Sequence, residues 1–149
     1  MPLKNKFIIY SAIIAFLGFL DATYLTLVHF RNTIPPCTIG NCETVLTSQY
    51  AVILGIPTAL LGSLFYLSVI LVCLLIMTNY KKIFHQAYYL LAATGLIVSA
   101  ILLGIQAFVL HAFCQYCLLS AATSTGIAIL AYLHYREQKN SWRYIRTSV

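Results

Sequence analysis

Three long apolar blocks constrain this chain more than any other feature. Residues 7–30, 50–77 and 87–135 carry a single acidic side chain, Asp21, and no Lys or Arg. A spanning helix needs about 20 apolar residues, so each of the first two blocks holds one helix and the third holds two. The third block divides near 110–113, around His111. With 61% hydrophobic and 8% charged residues in 149, a soluble fold has too little polar surface to cover the rest. The expectation is an all-α integral membrane protein: one domain over 1–149, built as a four-transmembrane-helix bundle. The spans are 7–30, 50–77, 85–109 and 112–135, with a loop at 31–49. The first block is too long for a signal-peptide core and lacks a small-residue cleavage site, so it reads as a retained span.

The basic residues orient these spans. Lys4 and Lys6 precede the first, Lys81 and Lys82 separate the second and third, and Arg136, Lys139, Arg143 and Arg146 follow the fourth. The 31–49 loop has only Arg31, offset by Glu43, and the 110–113 turn has none. Positive residues stay on the cytoplasmic side, which places both termini there. A three-span reading puts the basic tail outside and breaks the rule. The same pattern accounts for the +6 net charge without a nucleic-acid partner. The tail beyond Tyr135, with Trp142 among basic residues, reads as an interfacial anchor.

This topology gathers the cysteines. Cys37 and Cys42 lie in the 31–49 loop, and Cys114 and Cys117 lie at the turn into the last helix, on the same outer face. Cys114 is expected in the first turn of that helix, where the dipole and unpaired N–H groups favour a thiolate. Cys117 sits one turn deeper, about 4.5 Å along the axis. Cys37 and Cys42 bracket "TIGN", whose Gly40-Asn41 suits a turn that brings the sulfurs together. A disulfide across so short a loop stabilises by only about 2 kcal/mol, against about 4 kcal/mol for a link from loop to last helix. Short exposed disulfides exchange readily, so the layout suits an electron relay. A four-cysteine structural zinc site and a non-catalytic scaffold with two structural disulfides are the competing readings. Cys73, alone in the second span, reads as a packed apolar residue.

Other polar residues at membrane depth are candidates near the redox pair. Asp21 costs about 2.5–3.5 kcal/mol to insert, so it is expected to face the bundle interior with a partner. His111 suits a proton relay, or equally a wet interfacial position. Gly55, Pro57 and Gly62 permit a bent entry to the second span, which a ligand pocket or plain helix packing would use. Gly95, Ser99 and Gly104 have the spacing of a helix–helix seam.

The segment "CTIGNCETVLTSQYAVILGIPTALLG", with "LGFLDATYLTLVH" before it and "CQYC" opening the last span, resembles the vitamin K epoxide reductase family. The resemblance runs from about Phe16 to Tyr132 and is nearer the bacterial and archaeal branch. It implies that Cys37 and Cys42 exchange disulfides with a thioredoxin-like partner, that Cys42 passes electrons to Cys114, and that Cys117 contacts a quinone. Ser48 matches the family's loop serine near the redox site. Asp21, Ser48, Pro57 and His111 are the quinone-site candidates. The expected acceptor is ubiquinone or menaquinone, with no metal. The expected partners are a separate DsbA-like protein, the quinone and membrane lipid. The expected location is the cytoplasmic (inner) membrane, multi-pass, with the active site facing the periplasm or exterior. The animal enzymes' tyrosine four residues after the Cys-x-x-Cys is Ala121 here, which weighs against the alternative, a vitamin K quinone or epoxide reductase of an internal membrane.

Overall fold

The computed structural model describes residues 6–38, 40–79 and 81–147, with side chains through residue 140. Four long helices dominate: α1 (Lys6–Phe30), α3 (Thr58–Thr78), α4 (Lys82–Phe108) and α5 (Gln115–Thr147). A short helix α2 (Cys42–Leu46), one 3-10 turn (Gln49–Ala51) and a two-stranded hairpin, β1 (Val52–Ile53) and β2 (Ile56–Pro57), fill the connection from α1 to α3. All four long helices are apolar and long enough to cross a membrane. Their outward faces are apolar as well: Leu17, Leu90 and Ile97 are all more than half exposed. Such a surface suits lipid rather than water.

The helices close into a ring in which α1 packs on α3 and α5, and α4 packs on the other side of both. Small residues on α1 let the neighbours approach, as membrane packing requires. Gly18 is the clearest case, because an added Cβ there would sit 2.5 Å from the Tyr66 ring. The Tyr66 hydroxyl then donates to the Ser120 carbonyl at 2.7 Å and lies within 2.8–3.0 Å of the Ser120, Thr123 and Ser124 hydroxyls. Gly95 makes the same allowance for Phe65, whereas Gly104 faces open space. The expected seam on α4 is therefore shorter than its three-residue spacing suggests. Cys73 is buried in the main apolar core.

Several boundaries differ from expectation for local reasons. The second span begins at Thr58, not 50, because Leu54 and Gly55 both take positive φ (54° and 82°). They form the two-residue turn that pairs Val52 with Pro57 and Ile53 with Ile56, and such primed turns require that backbone. Pro57 then starts α3 without a backbone donor to lose. The third span begins at Lys82 rather than 85. The fourth starts at Gln115 rather than 112 and runs past 135 to Thr147, since no Gly or Pro interrupts the polar tail. The Trp142 side chain lies outside the described residues, as does Lys4. At the other end of the loop, α1 stops in a Schellman motif. Asn32 has φ 49°, its N–H reaches the His29 carbonyl at 3.1 Å, and Thr33 N–H reaches Val28 at 3.2 Å, which satisfies the helix's last carbonyls.

Candidate functional site: two cysteine pairs in contact

The α1–α3 connection folds back onto the start of α5. Gly40 forms a one-residue antiparallel bridge with Cys114, and Asn41 N–H donates to the Phe113 carbonyl at 2.9 Å. The Thr38 backbone N–H and hydroxyl donate to Gln115 Oε1 at 3.2 and 2.9 Å. Gln115 Nε2 and the Tyr116 hydroxyl return bonds to the Pro36 carbonyl at 3.4 and 3.1 Å. Glycine is required at position 40 twice over. Its φ is +92°, and a Cβ there would collide with the Phe113 carbonyl oxygen. A residue larger than glycine would push the loop off the Cys-x-x-Cys.

This docking brings the sulfurs together. Cys37 and Cys42 form a disulfide with Cα atoms 6.0 Å apart. Cys114 and Cys117 are thiols. Cys42 and Cys114 are both almost wholly buried (1% and 0% exposed) in one cluster with Val45 and Ala112, against which Cys37 and Cys117 pack. Cys37 is half-buried and so the more accessible loop sulfur.

Cys114 stands at the cap of α5 rather than in its first turn. Its carbonyl accepts the Leu118 N–H at 2.9 Å, and its sulfur occupies the place of a capping oxygen. The Cys117 thiol donates to that sulfur, as do the Cys117 and Tyr116 backbone N–H groups. Together they hold the Cys114 thiol at about 7, down from 9.0, against burial and the nearby Asp21 carboxyl, which push the other way. Hydrogen bonds to the charged form are what make such a cysteine reactive.

The remaining candidates fall in different places. Asp21 is buried on α1, inside the bundle, and acts electrostatically on both Cys114 and Cys117. Its Oδ2 has no hydrogen-bond partner, so that oxygen lacks the partner expected of it. Ser48 is turned back on its own loop, donating to the Val45 carbonyl at 2.7 Å. Pro57 is buried at the start of α3. His111 is exposed, with φ 47°, on the α4–α5 turn, and stands outside the buried cysteine cluster. Reasoning from the sequence passed over Gln106, which is buried at the end of α4 and accepts the Cys114 N–H on Oε1 at 3.1 Å. The signal was present: an amide in an apolar span is as conspicuous as Asp21.

A family model described as vitamin K epoxide reductase family matches residues 9–132, which takes in both cysteine pairs and more than half of each long helix. The chain belongs to that family. Membership makes it a multi-pass membrane oxidoreductase whose chemistry runs between thiols, disulfides and a quinone. The Gly40–Cys114 bridge is what brings the two cysteine pairs of this chain into one cluster. With Cys37 and Cys42 joined, two of the thiolates a four-cysteine zinc site needs are already committed to each other.

Proposed function

We propose that this protein reoxidises a separate thioredoxin-like (DsbA-like) protein outside the cytoplasmic membrane and passes the electrons to a membrane quinone. The observation that carries the reading is the contact between pairs, with Cys42 and Cys114 in one buried cluster under the Gly40–Cys114 bridge. The partner's thiolate attacks Cys37, the accessible sulfur, and its second thiol releases Cys37 and Cys42 as thiols. Cys42 attacks Cys114 of an oxidised Cys114–Cys117 pair, so the Cys42–Cys114 bond forms and Cys117 leaves. Cys37 then attacks Cys42 and expels Cys114. A thiol held at about 7 is a good leaving group in this last exchange. The products are a Cys37–Cys42 disulfide and a Cys114/Cys117 dithiol, the same pairing the structure has.

A quinone takes up two electrons and two protons, which is what the dithiol releases on returning to a disulfide. Cys117 is the sulfur placed to meet it: half-buried in the third position of α5, at the level where the bundle becomes apolar. The buried, unpartnered Oδ2 of Asp21 suits a polar headgroup. Asp21 is accordingly the first of the four candidates to hold one, ahead of Ser48, Pro57 and His111. The outward placement rests on the basic residues, eight of nine of which fall in the sequence outside the two connections that carry the cysteines.

The test combines purified protein, a reduced thioredoxin-like protein and a short-chain ubiquinone or menaquinone, and follows quinone reduction in single Cys→Ser variants. Loss of turnover in all four, with partner trapped on Cys37 in Cys42→Ser, is the expected result. Turnover that persists in Cys117→Ser would sink the relay, and partner trapped on Cys114 would reverse its order.

A further inference from the structure

Gln106 contacts both the α4–α5 turn and the Cys-x-x-Cys. It sits in the last turn of α4 and is 4% exposed. Its backbone carbonyl accepts the Ala112 N–H at 3.2 Å, which folds the α4–α5 turn back onto α4. Its side-chain Oε1 accepts the Cys114 N–H at 3.1 Å. Its side chain also hydrogen-bonds the Cys117 sulfur, and with Oε1 on a backbone donor, the group left to make that bond is Nε2–H. One amide therefore touches both members of the Cys-x-x-Cys: the backbone of the first and the sulfur of the second.

We propose that Gln106 is the positioning residue of the Cys114–Cys117 pair, holding Cys114 at the helix cap and donating a hydrogen bond to Cys117 as that sulfur leaves. The role belongs to the internal exchange of the relay described above and rests on that reading. When Cys42 attacks Cys114, the Cys42–Cys114 bond forms, the Cys114–Cys117 bond breaks, and the electron pair goes to Cys117. That charge appears in a buried, apolar setting, where a preorganised donor counts for much more than it does in water. Asp21 acts on this sulfur through space only and makes no hydrogen bond to it. An amide suits both tasks because it carries an acceptor and a donor on one rigid group. Leucine supplies neither, and an ionised glutamate keeps the acceptor but loses the donor.

The experiment needs no quinone. Full-length protein with both pairs oxidised by diamide is mixed with a reduced thioredoxin-like protein, quenched in acid at intervals, alkylated, and resolved peptide by peptide. In Gln106→Leu, reduction of Cys37–Cys42 should keep the wild-type rate, while free Cys117 should appear about 10- to 100-fold more slowly, the worth of one hydrogen bond to a charged group. Gln106→Glu should be as slow at alkaline pH and gain rate relative to wild type as the pH falls, because the protonated carboxyl regains a donor. A purely structural role would not produce that recovery. Wild-type release of Cys117 in Gln106→Leu, or a Glu variant whose ratio to wild type is flat with pH, would overturn the inference even if the leucine variant folded poorly. A wild-type protein that never passes electrons beyond Cys37–Cys42 would overturn the relay, and the inference with it. That outcome is told apart because it appears in the unmutated arm.

Discussion

The sulfur of Cys114 meets two backbone N–H groups of the first turn of α5 and the thiol of Cys117, with the Asp21 carboxyl as the opposing charge. Because its folded value lies below 9.0, the gain from ionisation is present above the ordinary thiol range and is lost as the pH falls through about 7. The dithiol form should thus gain stability from pH 7 to 9, and Cys114 alkylation by iodoacetamide should titrate near 7. In Cys117→Ala, which removes the largest of the causes, that midpoint should move up; an unmoved midpoint would mean the cap alone sets it. Gly40 gives a second prediction at this scale. Gly40→Ala combines a positive φ with a clash against a carbonyl, a cost of about 1–3 kcal/mol. It should lower the melting temperature and slow transfer from Cys42 to Cys114, with Cys37–Cys42 still reducible. Neither effect was fully legible in the sequence. "TIGN" announced a turn, but not that the turn docks on Phe113, and "CQYC" announced reactivity but not a sulfur acting as a helix cap.

At the scale of elements, the hydrophobic pattern located all four helices and misjudged where three of them begin. Periodicity cannot distinguish an apolar hairpin from the helix it leads into, because residues 50–57 are as apolar as α3 itself. The backbone of Leu54 and Gly55 decides it. Leu54 is 97% exposed at φ 54°, so its side chain contributes no packing while its backbone is strained. Leu54→Asn, a residue that accepts this conformation, should raise stability in detergent by about 0.5–1 kcal/mol, read by thermal unfolding. The join between α3 and α5 rests on the Tyr66 hydroxyl and its four oxygen neighbours on α5. Tyr66→Phe should cost about 0.6–1.7 kcal/mol, the range for hydrogen bonds between membrane helices, and leave Cys37–Cys42 chemistry intact.

For the whole molecule, the proposed topology puts the cysteine pairs outside and Cys73 within the core. In inverted and right-side-out vesicles, a membrane-impermeant maleimide added after mild reduction should label Cys37 only when the outer face is accessible. Labelling from the opposite face would reverse the orientation inferred from the basic residues. What the sequence determined by itself is the class of solution. Twenty-residue apolar runs in lipid must be helices, since no water is there to satisfy an open backbone, and the count of runs and the placement of Lys and Arg order them. What only the tertiary structure decided is the contact between residues about 75 positions apart, Gly40 on Cys114 and Thr38 on Gln115, and, across the α4–α5 turn, Gln106 against both ends of the Cys-x-x-Cys. Those depend on where the α1–α3 connection turns back and how deep α5 starts. Both are settled by hydrogen bonds across the fold, which no local pattern of hydrophobicity encodes.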